Sequence, residues 1–143
     1  MSKDLFKEKD LEAFEENYKA AKGYHRRAKQ FLEEGQASSV VFNISSVALE
    51  RYLIALCNLY GFNPANHNYG SLMDTAEVLV DFPGILSQKI RSLDSIFNIC
   101  SLENYHYENP KDSDADSILS MCLDVSELFD FERIKRMRDA FMQ

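Results

Sequence analysis

The stretch that most constrains this chain is residues 38–60, SSVVFNISSVALERYLIALCNLY. Val40, Val41, Ile44, Val47, Ala48, Tyr52, Ala55 and Leu59 recur at helical spacing, and Phe42, Leu49, Leu53, Leu56 and Tyr60 supply a second apolar face. A helix apolar on two faces is a central one. At about 1.5 Å per residue it runs on the order of 35 Å, the width of a small domain, so the other segments must pack around it. Ser39, Asn43, Ser46 and Glu50 fall four, three and four apart and form one narrow polar strip along this rod. Such a strip either faces solvent or lines a cleft.

A chain of 143 residues with 45% hydrophobic content suits a single domain, 1–143, with a real core. The net charge of −7 argues against holding duplex DNA by broad phosphate neutralisation. No apolar run is expected to approach the ~20 residues needed to span a bilayer, and the N-terminus, MSKDLFKEKDLEAFEE, is too charged for a signal peptide. The expectation is a cytoplasmic protein with no membrane contact. Cys57, Cys100 and Cys122 lie far apart in apolar helical patterns and read as buried reduced thiols, not as a metal or redox site.

From Leu11 the first long segment keeps a seven-residue beat, with Leu11, Tyr18, His25 and Leu32 on one line and Phe14, Ala21 and Ala28 on another. Glu12, Glu15 and Glu16 mark the start of its outer surface, and Lys19, Lys22, Arg26, Arg27 and Lys29 its later half, the order that the helix dipole favours. His25, on the seam, reads as a hydrogen-bonded, half-buried side chain. Gly35 ends this helix and Gly61 the central one. After the Asn- and Pro-containing loop 62–70, Ser71 is the expected N-cap of a short helix, with Asp74 completing a near capping box.

Phe82-Pro83-Gly84 breaks that helix, and Leu86, Ile90, Leu93, Phe97 and Cys100 define the next one over 84–102. A loop at 103–116 follows, with Asp112 or Ser113 capping a helix whose buried face is Ala115, Ile118, Cys122, Val125 and Phe129. Asp130 interrupts before a short basic segment that packs Phe131, Ile134 and Phe141. No segment alternates as a half-buried strand does. The fold class is therefore all-α, an antiparallel up-and-down bundle of four long helices plus short ones.

Phosphate-binding glycine loops, zinc-protease helices, nucleophile elbows and regular Cys/His metal spacings are all missing, so no metal or cofactor is expected. Glu103, Asn104, Tyr105, His106, Tyr107 and Glu108 instead gather one histidine, two tyrosines and two carboxylates at the end of a helix. A histidine there can serve as general acid or base near neutral pH, and tyrosines can stack a base or ribose. The bland alternative is a loop whose tyrosines cap the core.

On these residues the chain resembles the HEPN family of small all-α domains. The likeness lies in Ala48, Glu50, Leu53 and Ala55 on the central helix, Gly61 and Pro64 in the turn, His67 and Leu72 around the short helix, and the polar stretch 103–110. It covers about residues 8–130. The resemblance implies a bundle, usually homodimeric, that many members use as a ribonuclease and toxin partnered by a small nucleotidyltransferase, while others bind nucleotides or act as interaction domains. The family's ribonuclease motif is an Arg, four to six residues, then a His. His106 supplies the histidine, but Ile99, Cys100 and Ser101 stand where the arginine would fall, and Arg91 is too far away. A guanidinium there would orient the scissile phosphate and offset transition-state charge.

The resulting expectation is a non-catalytic or degenerate HEPN-like domain, a homodimer that binds a partner protein, such as a small nucleotidyltransferase, or a nucleotide. Its ligand-binding residues would be Glu50, Arg51, Glu103, Asn104, Tyr105 and Tyr107. The alternatives are a metal-independent endoribonuclease acting on RNA, with His106 catalytic and Arg51 or a tail arginine replacing the missing one, and a plain helical interaction module.

Overall fold

The computed structural model describes residues 6–102 and 110–142, with 96–102 described by backbone alone. These residues form six helices: α1 (Glu8–Glu33), α2 (Ser38–Leu59), α3 (Tyr69–Leu79), α4 (Gly84–Leu102), α5 (Asp112–Ser126) and α6 (Phe131–Phe141). No strand occurs among the described residues. The all-α class follows from the 3.6-residue periodicity of every apolar segment.

The core is built on α2, which buries thirteen of its residues, from Val41 to Leu59. Among the described residues it is the helix long and apolar enough to cross a bilayer, with a mean hydropathy of 1.5 over its most apolar window. That departs from the expectation that no run reaches such a length. The protein itself covers 61% of that window, as befits the core helix of a packed domain.

Alanines on α1 explain how it lies so closely on α2. Phe14, Ala21 and Ala28 are fully buried, and the small side chains of the two alanines leave room for α2 to pack against α1. The pairing runs antiparallel: Asn17 meets Asn58 and His25 meets Tyr52. On the other side, α5 runs beside α2 in the same direction. Ser38 Oγ donates to the Asp112 carboxylate at one end, and Cys122 Sγ donates to the Ser45 carbonyl further along. Phe129 closes an aromatic cluster with Phe14, Tyr18 and Tyr52, its ring 4.9 Å from that of Tyr18. All five residues expected on the buried face of α5 and its end are buried.

The α3–α4 pair is antiparallel as well, with Gly70 beside Asp94 and Asp74 beside Arg91. The last helix, α6, seals the C-terminal end of α2. Arg133 Nε donates to the Leu59 carbonyl while its guanidinium lies over the rings of Tyr60 and Phe6, and Arg138 forms a bidentate pair with Glu15. Half of the basic tail is thus structural.

Gly35 and Gly61 end their helices as expected, at φ of 77° and 88°. The backbone N–H of Phe62 reaches back to the Cys57 carbonyl, the closure that a left-handed residue permits. Several details differ from the sequence-based expectation. Val40, Val47 and Leu32 are exposed, because the apolar stripe is wider than the surface that neighbours cover. Phe131 is 64% exposed and Met137 takes its place in the core. The cap of α3 is Asn68 rather than Ser71, and α5 begins after Lys111, whose N–H is accepted by the Asp114 carboxylate.

Candidate functional site

The polar strip on α2 is the starting point, since a side chain left polar on a core helix needs either water or a partner. Ser39, Ser46 and Glu50 are half-buried and Asn43 is exposed, so the strip forms an open edge rather than the floor of a closed cavity. At its lower end Glu50 meets the α2–α3 connection. The Glu50 carboxylate lies 3.5 Å from His67 Nδ1, and His67 Nε2 lies 3.1 Å from the Pro64 carbonyl. Both ring nitrogens face acceptors. The side chains keep 36% and 48% of their surface exposed, enough for a ligand to reach them.

Tyr69 stands behind this pair. Its hydroxyl donates to the Ser46 carbonyl at 2.7 Å, and burial, followed by the Glu50 carboxylate, raises its pKa far above the ordinary phenol value. Tyr69 is therefore a neutral hydrogen-bonding post that fixes α3 against α2, not an acid available for proton transfer. Its own backbone N–H and that of Gly70 donate to the two oxygens of Asp94, at 2.9 and 2.7 Å, while Asn68 accepts from Ser71 N. The N-terminus of α3 is thus fully occupied by side chains of this chain.

The arginines near this edge are also committed. Arg91 bridges Asp74 and Glu77 at 2.9 and 2.7 Å, and its hydrogen bond holds the Glu77 carboxyl below its usual range. Arg51 is next to Glu50 in sequence but about 100° further round the helix. It turns to α1, where its guanidinium donates to Asn17 Oδ1 at 2.9 Å. Asn17 Nδ2 donates in turn to Asn58 Oδ1, and Asn58 Nδ2 to the Phe62 carbonyl. This chain of amides crosses the α1–α2 interface, with Asn58 fully buried.

Of the residues singled out in the sequence, Glu50 and Arg51 are therefore placed on different sides of α2, Glu50 with His67 and Arg51 with Asn17. Glu103, Asn104, Tyr105, His106 and Tyr107 lie outside the described residues. His67, in the sequence a residue of the family resemblance, is the partner of Glu50. Asn58 and Asp94 are not among the residues expected at a site, although an amide in the run ALCNLY is a signal that something polar must meet it; the role of Asp94 depends on a contact 24 residues away.

His25 is half-buried as expected, with Nδ1 2.9 Å from the Tyr52 hydroxyl. Burial, with Lys29 adding to it, lowers its pKa. Burial raises the Cys57 thiol to about 11 and the Cys122 thiol to about 12, so both stay protonated and unreactive near neutral pH. Among the described residues, no group of three His, Cys, Asp or Glu side chains could hold a metal ion. The larger surface grooves lie away from the Glu50–His67 edge. One of about 360 Å³ separates the start of α4 from α5, and another of about 380 Å³ follows the outer face of α1.

Compared with family models, with curated proteins and with solved structures, the chain has no match.

Proposed function

We propose that this chain is a HEPN-like domain of cytoplasmic location, a homodimeric up-and-down bundle in which α1, α2, α4 and α5 alternate in direction, and that it acts by binding rather than by cleaving. Its ligand is a partner protein, such as a small nucleotidyltransferase, or a nucleotide. The observation that carries the reading is the commitment of Arg51. A ribonuclease built on His106 would need a replacement for the absent motif arginine, and Arg51 or a tail arginine is the candidate for that role. The Arg51 guanidinium is instead held by Asn17, inside an amide network that packs α1 on α2. Arg91 is likewise tied to two carboxylates, and of the tail arginines Arg133 is tied to a helix end and Arg138 to Glu15, while Arg136 is exposed on α6. Against this, the half-exposed Glu50 and His67 offer an acceptor and a hydrogen-bonding imidazole on an accessible edge, which suits recognition of a hydroxyl or amino group.

The test is incubation of metal-free protein with mixed cellular RNA, with His106→Ala alongside, followed by nucleotide titration of the wild type and of Glu50→Ala. Intact RNA in both reactions agrees with the binding reading, whereas cleavage that disappears in His106→Ala overturns it. Saturable nucleotide binding weakened by Glu50→Ala assigns the ligand to this edge. A flat titration leaves the partner protein as the ligand.

A further inference from the structure

The seam residues Tyr18 and His25 pack within the chain against α2 and its neighbours, which leaves the opposite face of α1 only partly covered, with Tyr24 half-buried at its margin against the core. That face holds the groove of about 380 Å³, lined by Glu16, Lys19, Ala20, Gly23, Tyr24 and Arg27. Two features need explaining. Gly23 sits in the middle of a 26-residue helix, where glycine weakens the helix relative to alanine, yet a Cβ at this position would meet nothing within 4 Å. Packing inside this chain does not call for a glycine. Glu16 and Arg27, three turns apart, make no ion pair among the described residues.

We infer that this face is the self-association surface, occupied by α1 of a second copy lying antiparallel across a two-fold axis between Ala20 and Gly23. An isologous interface must be complementary to itself, with each residue i meeting j while j meets i. A two-fold centred there superimposes the stripe on itself. Glu16 of one copy faces Arg27 of the other, an opposite-charge pair that occurs twice. Lys19 faces Tyr24, an ammonium against an aromatic ring. Ala20 faces Gly23, and the missing Cβ lets the two backbones approach closely at the crossing point. All six residues lining the groove find a partner of matching chemistry, and the glycine is accounted for. The charge division of α1, acidic in its first half and basic in its second, also favours antiparallel over parallel pairing.

The inference rests only on the dimeric part of the proposed function, and the two can fail separately. The experiment is sedimentation of the full chain over a concentration series, for the wild type, Glu16→Arg, Arg27→Glu and an equimolar mixture of the two variants, with circular dichroism confirming equal helicity. The wild type is expected at twice the 16.5 kDa chain mass. Each variant places like charges opposite one another twice and is expected to dissociate at concentrations at least about tenfold higher than the wild type. In the mixture, the two variants together set an arginine against a glutamate at both ends of the contact, and a dimer is expected to be recovered. A monomeric wild type overturns both the dimer and the interface. A wild-type dimer that neither reversal weakens, or variants that stay monomeric when mixed, overturns this interface while leaving the dimer in place.

Discussion

At the scale of single residues, two polar groups in the α1–α2 contact set how the fold responds to acid and to truncation. His25 Nδ1 shares a hydrogen bond with the hydroxyl of Tyr52, whose burial raises its pKa and keeps the hydroxyl protonated. Burial, with Lys29 adding to it, opposes a charge on His25, which is why its pKa is lowered. The unfolded chain binds a proton near the ordinary 6.5 while the folded one resists it, so the contribution of His25 is fully present above 6.5 and is lost as pH falls through the lower folded value. Denaturant titrations of the wild type and of His25→Gln over this interval should show a fall in stability on acidification that the variant lacks, and equal slopes would contradict it. Asn58, fully buried and bonded to both Asn17 and the Phe62 carbonyl, makes the second case. Asn58→Ala removes two hydrogen bonds and opens a small cavity, and urea unfolding should report a loss of about 1–3 kcal/mol. The histidine was legible in the sequence because the seam exposed its position. The amide network was not, since its partners lie 41 residues apart and only the packed helices bring them together.

At the scale of elements, α3 shows how far local signals reach. Ser71 and Asp74 form a capping pair in sequence, yet the helix already begins at Tyr69, with Asn68 as its cap. The reason is Asp94, which reaches across from α4 and accepts both the Tyr69 and Gly70 N–H groups, so the start of the helix is held by a carboxylate distant in sequence. Asp74 is then free to pair with Arg91. Gly70 is part of the same device, because a Cβ there would come within 3.0 Å of Asp94 Oδ2. Asp94→Ala leaves two helix-end donors without their carboxylate and should cost about 1–2 kcal/mol by thermal or urea unfolding. Gly70→Ala should cost a similar amount by pushing the carboxylate away, and a neutral result for both would contradict the cap. Helix existence and the core faces of α5 and α6 were readable from periodicity, with Phe131 the exception. A side chain at a helix start has two routes to satisfaction, burial or solvent, and periodicity alone does not choose between them.

At the scale of the whole molecule, the organising fact is that α2 is covered on most sides and everything else is arranged around what remains polar on it. The central role of this helix was legible because a helix apolar on two faces needs neighbours to cover both. Glu50 and Arg51, both expected among the ligand-binding residues, point about 100° apart on the helix, and α1 takes the arginine. That division separates an accessible edge with a carboxylate and an imidazole from a structural guanidinium held against α1, and it underlies the proposal that the domain binds and does not cut. The most direct test is the RNA incubation with metal-free wild type and His106→Ala. The binding proposal predicts that RNA stays intact in both reactions; cleavage by the wild type that the single substitution abolishes would contradict it.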